Sequence, residues 1–171
     1  MANTTARAWW TLLLILGIGC SSGGPSGGSS APAGGEQKAV WDAFAALQAA
    51  LKAGDADKLW AMLDADSQDE AERAAKAIQA AYAKASAEEK AEQEKALGLP
   101  GAELAGLTGK GFLKTKRFLG KYDEIAESKV EKVSPQGDKA TVNYVEPDGD
   151  HEKLTFVRHE GQWKVSLRMP K

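Results

Sequence analysis

The sequence predicts an α+β fold in which N-terminal helices pack on a C-terminal four-stranded antiparallel curved sheet. Three observations predict it. Six of the seven valines lie after Lys129, while alanine is dense before Leu107 and nearly absent beyond it; alanine favours helix and valine favours strand. Apolar residues recur at helical spacing in the first half and alternate with polar ones in the second. Two S-x-x-E boxes mark helix starts in the first half, and turn residues at hairpin spacing divide the second. Helices followed by strands is the order of an α+β domain, not of an alternating βαβ one.

The elements follow in order. A first helix over about 37–53 places Val40, Phe44, Leu47 and Leu51 on one face, with Trp41 beside them and Gly54 as the stop. Asp55 caps a short second helix carrying Leu59, Trp60, Met62 and Leu63. Ser67 with Glu70 opens a third over about 68–85, whose apolar side is Ala71, Ala74, Ala75, Ile78 and Tyr82, and Ser86 with Glu89 opens a fourth over 87–97. Gly and Pro break the chain from 98 to 109, and 111–122 reads as one more short helix presenting Phe112, Leu113, Phe118 and Leu119. Strand one is expected over 129–133, with Ser134-Pro-Gln-Gly-Asp138 turning into strand two over 139–146. There Ala140, Val142 and Tyr144 point inward. Pro147-Asp-Gly-Asp150 turns into strand three, with Leu154 and Phe156 inward, and Glu160-Gly161 leads to strand four, with Trp163, Val165 and Leu167 inward. A meander with one apolar face needs a cover, and the amphipathic helices supply it.

Four segments carry a family resemblance: Leu51-Lys-Ala-Gly-Asp55, Lys58-Leu-Trp-Ala-Met-Leu63, Gly137-Asp-Lys-Ala-Thr-Val142 and Glu160-Gly-Gln-Trp-Lys-Val165. Over about 37–64 and 128–168 the chain resembles the nuclear-transport-factor-2-like superfamily, and within it the lipoprotein-associated branch of bacterial surfaces. The resemblance implies helices seated in the concave side of a curved sheet, forming a cone whose open end is a pocket. Trp60, Tyr144, Phe156 and Trp163 are the residues expected to line it. In one respect the chain departs from the family, which places a small hairpin between its second and third helices; here about 66–125 reads as a helical insert. Enzymes of the superfamily pair an Asp or His base with Tyr or Asp donors. The groups available here, Asp64, Asp66, Tyr82, Tyr144 and His159, yield no assignable acid/base pair. By alternation His159 shares a face with Thr155 and Val157, away from the core; Asp64 and Asp66 stand where helix capping explains them; Tyr144 suits the core edge. No catalytic residue is assigned, and the expected work is binding a small apolar ligand or an envelope protein. An enzyme using the cone pocket and a scaffold acting through the insert are the alternatives.

Ahead of the domain, Arg7 precedes an apolar run from Ala8 to Gly19, too short to span a bilayer, and the sole cysteine, Cys20, follows at once. The next stretch, up to Glu36, is a Gly/Ser/Pro-rich linker. This layout resembles the lipobox of bacterial lipoproteins, although Ile18 and Gly17 replace the usual letters. The resemblance implies a signal peptide over 1–19, acylation of Cys20, and a lipid anchor holding the domain on a membrane of the cell envelope, outside the cytoplasm. Secretion with cleavage near Gly19 or Ser22, and an uncleaved anchor, are the alternatives the residues leave.

Composition narrows the partners. There are 22 Lys plus Arg against 24 Asp plus Glu, a net charge of −2, which gives no footing for nucleic acid. Removing 1–19 takes Arg7 alone among charged residues and leaves −3, with no basic flank at Cys20, so attachment falls to the lipid. One cysteine and two histidines offer no zinc set: His151 and His159, eight apart on one strand, stand about 27 Å apart. Asp64-Ala-Asp66 lacks the glycine and glutamate of a calcium loop. Gly106-Leu-Thr-Gly109-Lys110-Gly111 lacks the spacing of a phosphate loop. No cofactor or metal is expected. Lys110, Lys114, Lys116, Arg117 and Lys121 form a basic cluster uninterrupted by acid; it is the candidate contact for an anionic partner, set against the plainer reading of a solvated face.

Overall fold

The computed structural model describes residues 34–171; the expectations for the signal segment, Cys20 and most of the linker lie outside the described residues. Among these residues the fold is α+β as expected: seven helices followed by a four-stranded antiparallel meander, in spatial order β1-β2-β3-β4.

Helix α1 (Gly35–Ala53) ends at Gly54, whose left-handed backbone (φ 60°) lets the Asp55 N–H reach the Ala50 carbonyl at 3.0 Å. Helix α2 (Ala56–Met62) is capped by Asp55, which accepts the Lys58 N–H. Next come α3 (Ala65–Lys84) and α4 (Ala87–Leu97), the latter opened by the complete Ser86/Glu89 capping box. Two short turns of helix, α5 (Gly101–Ala105) and α6 (Gly109–Phe112), precede α7 (Lys116–Glu127). Helix α6 lies so close to α3 that a Cβ on Gly109 would stand 2.8 Å from the Glu72 backbone nitrogen. Only glycine fits there.

Three expectations are corrected. Ser67 does not open α3: Asp64 does, accepting the Ser67 N–H at 2.8 Å, and the helix starts at Ala65. Ser67 is instead buried inside the first turn, where its Oγ accepts the Leu167 N–H at 2.9 Å, and Glu70 accepts the Met169 N–H at 3.1 Å. The box residues therefore hold the C-terminal tail. Second, 111–122 is not one helix. Thr115 interrupts it, donating its hydroxyl to the Phe112 carbonyl and accepting the Phe118 N–H, so it closes α6 and caps α7. Third, the first strand continues through Ser134 and Pro135 to Gln136, leaving Gly137-Asp138 as a two-residue turn. Proline is tolerated because β1 is an edge strand.

Strands β1 (Lys129–Gln136), β2 (Lys139–Val145), β3 (His151–His159) and β4 (Gln162–Ser166) put Val133, Ala140, Val142, Tyr144, Leu154, Phe156 and Val165 on one buried face. The Val40, Phe44, Leu47 and Leu51 stripe of α1 fills it. Phe44 is fully buried, with its ring 5.5 Å from Tyr144 and 6.5 Å from Phe156. Gln48, on the same helix, donates to the carbonyls of Ile125 and Ser128, both at 2.9 Å, and so ties α1 to the junction of α7 with the sheet. At the far edge Leu63 forms a parallel bridge with Val165, and the Asp64 N–H donates to the Val165 carbonyl at 3.0 Å. The α2–α3 junction thereby occupies part of the β4 edge.

Removing the Phe44 ring leaves a cavity bordered by two aromatic rings, so Phe44→Ala is expected to destabilise the fold by about 3–5 kcal/mol. Ser86→Ala, at an exposed cap, is expected to cost about 1 kcal/mol. Urea unfolding of both variants checks the ranking, which an equal loss would contradict.

Candidate functional site

Among the described residues, a close group of ionisable side chains lies at the end of the inner sheet face where β2 turns into β3. Alternation carries Tyr144 and Glu146 onto the same side, and Glu152 stands opposite Tyr144 in the register. Helix α7 brings Glu124 and Tyr122 alongside. Glu124, Glu146 and Asp148 each place one carboxylate oxygen within 4.8 Å of the others. Two negative charges so close are unfavourable, and the pair relieves this by keeping a proton. Burial first, then the hydrogen bond to Glu124, then repulsion from Glu124, Glu152 and Asp148 push the Glu146 carboxyl up to about 7. Below it Tyr144, 4% exposed, has its phenol pushed well above the ordinary range, by burial and then by the negative charge of Glu146 and Glu152. Burial and the Glu70 charge raise Tyr122 to about 12 while its hydroxyl donates to the Arg168 carbonyl. Both phenols are neutral donors at neutral pH.

Hard oxygen donors of this kind suit Ca²⁺ or Mg²⁺, but three carboxylates at the surface are half of what calcium takes. Sequence reasoning missed this cluster. Alternation gives the Tyr144/Glu146 pairing, but Glu124 joins it only through the rotational phase of α7.

Among the described residues, the four side chains expected to line a pocket divide between the core and its margin. Phe156 is fully buried and Tyr144 nearly so, both packed on Phe44. Trp60 and Trp163 are half-buried at the margin of the core; Arg158 lies over the Trp163 ring at 4.5 Å. None of the four lines any of four surface clefts of about 260, 430, 490 and 660 Å³. The most apolar of these, about 430 Å³, runs between α3 and α4 and is walled by Ala74, Ala77, Ile78, Ala81, Ala96 and Leu97. The largest lies at the β4 edge, between Asp64 and Asp66 on one side and Lys139, Thr155 and Lys164 on the other.

The basic cluster is divided. Lys110 pairs with Asp57 at 2.7 Å and, with Lys114, lines a small cleft that also holds Glu103. The Lys116 stem lies across Gly98, and Arg117 borders the α3–α4 cleft. Lys121 is exposed farther along α7. His159 is exposed and on the outer side, as alternation implies.

The raised carboxyl has a thermodynamic consequence. The folded chain retains a proton on Glu146 from about pH 4.5 to about 7 that the unfolded chain has released. Stability from this group is therefore full below that window and falls as pH rises through it. Glu146→Gln is expected to flatten the fall and to raise Tm above about pH 7. Thermal unfolding across the window tests it; an unchanged slope would contradict the shared proton.

No protein-family model, no curated protein and no solved structure matches this chain.

Proposed function

We propose that the chain is a lipid-anchored protein of the bacterial cell envelope, attached through acylated Cys20, whose domain binds a ligand or partner and performs no chemistry of its own. The observation that carries the reading is the place of the only cysteine, between an apolar run and a Gly/Ser-rich tether. No thiol elsewhere competes for the role. Among the described residues no helix is long and apolar enough to cross a membrane, which leaves attachment in this reading to the segment around Cys20. The nuclear-transport-factor-2-like resemblance belongs to the same proposal, supported by the helices-then-meander order and by α1 lying across the inner sheet face.

Binding is favoured over catalysis because the inward aromatics close on Phe44 instead of enclosing a substrate volume. The α3–α4 cleft, about 430 Å³ with mostly aliphatic walls, is in the size range of small-molecule sites and is the place for a small apolar ligand. The second reading, an envelope enzyme working by acid/base chemistry, has Glu146 in its favour, since a carboxyl near 7 can both give and take a proton at neutral pH. Against it, the carboxylates Glu124, Glu146 and Asp148 line none of the four clefts.

Metabolic labelling with a radioactive fatty acid tests the anchor. The wild-type chain is expected to incorporate label and to sediment with membranes, and Cys20→Ser to do neither. Equal label in both would overturn the reading.

A further inference from the structure

The register of the four strands collects basic side chains on the sheet face turned away from α1. Reading across the strands, the outer positions are Gln136, Lys139, Val157 and Lys164 in one row and Ser134, Thr141, Thr155 and Ser166 in the next. Lys132, Asn143 and Lys153 form a third row, and Lys129, Val145 and His151 a fourth. Five lysines and two histidines, counting His159, thus occupy one face, and no strand position in these rows is acidic. Two carboxylates reach over: Glu131, at the β1 bulge, is held by His151 at 3.0 Å, and Asp64 accepts the Ser166 hydroxyl. At the β4 edge Asp64 and Asp66 share one cleft with Lys139 and Lys164, and, with Glu70, a second with Lys153, so the acid-free part of the face is the β1–β2 side.

The strand half is not basic as a whole. Apart from Glu131, its acids lie in the turns (Asp138, Asp148, Asp150, Glu160) or at the inner end (Glu146, Glu152). Charge is therefore sorted by side: carboxylates inside and at the tips, ammonium groups outside. Lys129, Lys132, Lys139 and Lys153 are exposed, and no described carboxylate pairs with them. Hydroxyls and an amide from Ser134, Thr141, Thr155 and Asn143 lie between the lysines, adding hydrogen-bond donors for phosphate oxygens. The face measures roughly 15 Å by 25 Å from strand spacing and rise.

We infer that this outer sheet face docks on the anionic phospholipid headgroups of the bilayer that holds the anchor. The inference rests on the lipid-anchor reading, and charge complementarity selects the occupant. The tether supports it, because Glu36, at the start of α1, is paired with Arg158 at 2.6 Å. The chain thus enters the domain at the sheet end that carries Lys139 and Lys164. By sequence 14 residues, 21–34, separate Cys20 from α1, so acylation at Cys20 keeps the domain near the headgroups, where the surface potential acts over roughly 8 Å. In the helical basic cluster, by contrast, Lys110 is already paired with Asp57 at 2.7 Å.

The test is amine acetylation, mapped by mass spectrometry, on the full acylated chain reconstituted in phosphatidylcholine vesicles with or without phosphatidylglycerol. Lys129, Lys132, Lys139 and Lys153 are expected to label at least about threefold more slowly on the anionic vesicles, with the protection lost in high salt. Lys84, Lys90 and Lys95 on the helical side serve as the unprotected reference. The triple variant Lys132→Glu, Lys139→Glu, Lys153→Glu, all at exposed positions, is expected to abolish the difference. Equal labelling on both vesicle types, or protection at Lys114, Lys116 and Lys121 instead, overturns the docking. Failure of the anchor reads out separately, as a chain that does not float with neutral vesicles.

Discussion

The contact between Phe44 and the two aromatic residues of the inner sheet face, Tyr144 and Phe156, is the interaction on which the rest depends. A single four-stranded sheet holds together in water only if one face is removed from it. Helix α1 does this, and its stripe of Val40, Phe44, Leu47 and Leu51 determines which face is inside. Because side chains alternate along each strand, that one choice fixes the environment of every second residue in the sheet. It buries Val142 and Leu154, brings Glu146 and Glu152 together at the inner end, and leaves the lysines on the other side in solvent.

The helical and strand halves are joined by polar groups whose partners are distant in sequence. Gln48 reaches carbonyls at Ile125 and Ser128; Ser67 and Glu70 reach the N–H groups of Leu167 and Met169; Tyr122 reaches the carbonyl of Arg168; and Ser166 donates to Asp64. Each satisfies a backbone or side-chain group that the end of a strand would otherwise leave to water. They act at the C-terminal side of β4 and at the start of β1, the places where the sheet would fray first.

Local signals were readable where the chain uses them locally. Ser86 and Glu89 form the capping box that their spacing announces, and the alternation from Ala140 to Tyr144 gives the buried face. Where a tertiary partner takes over a local signal, sequence reading fails. Ser67 and Glu70 carry the same box letters, but Asp64 is three residues upstream, is better placed as a cap, and frees both for the C-terminal tail. Thr115 looks like an interior helix residue until the turn between Phe112 and Phe118 is seen. The candidate sites divide the same way. Trp60, Tyr144, Phe156 and Trp163 are inward or marginal, as their spacing implies, but whether they enclose a volume depends on how far α1 sinks into the sheet. The carboxyl cluster needs the phase of α7, and the basic outer face needs the register of all four strands. Neither is a property of any contiguous stretch.

The central claim is that the sheet has one covered face and one open, cation-bearing face. The most direct measurement is the unfolding free energy of two neighbouring lysine substitutions on β2. Thr141→Lys adds a sixth lysine to the open face and is predicted to stay within about 0.5 kcal/mol of wild type. Val142→Lys forces an unpaired ammonium against Phe44 and its neighbours and is predicted to cost more than about 4 kcal/mol or to unfold the chain. Similar losses at the two positions, or the reverse order, would contradict the assignment of inside and outside from which both candidate sites follow.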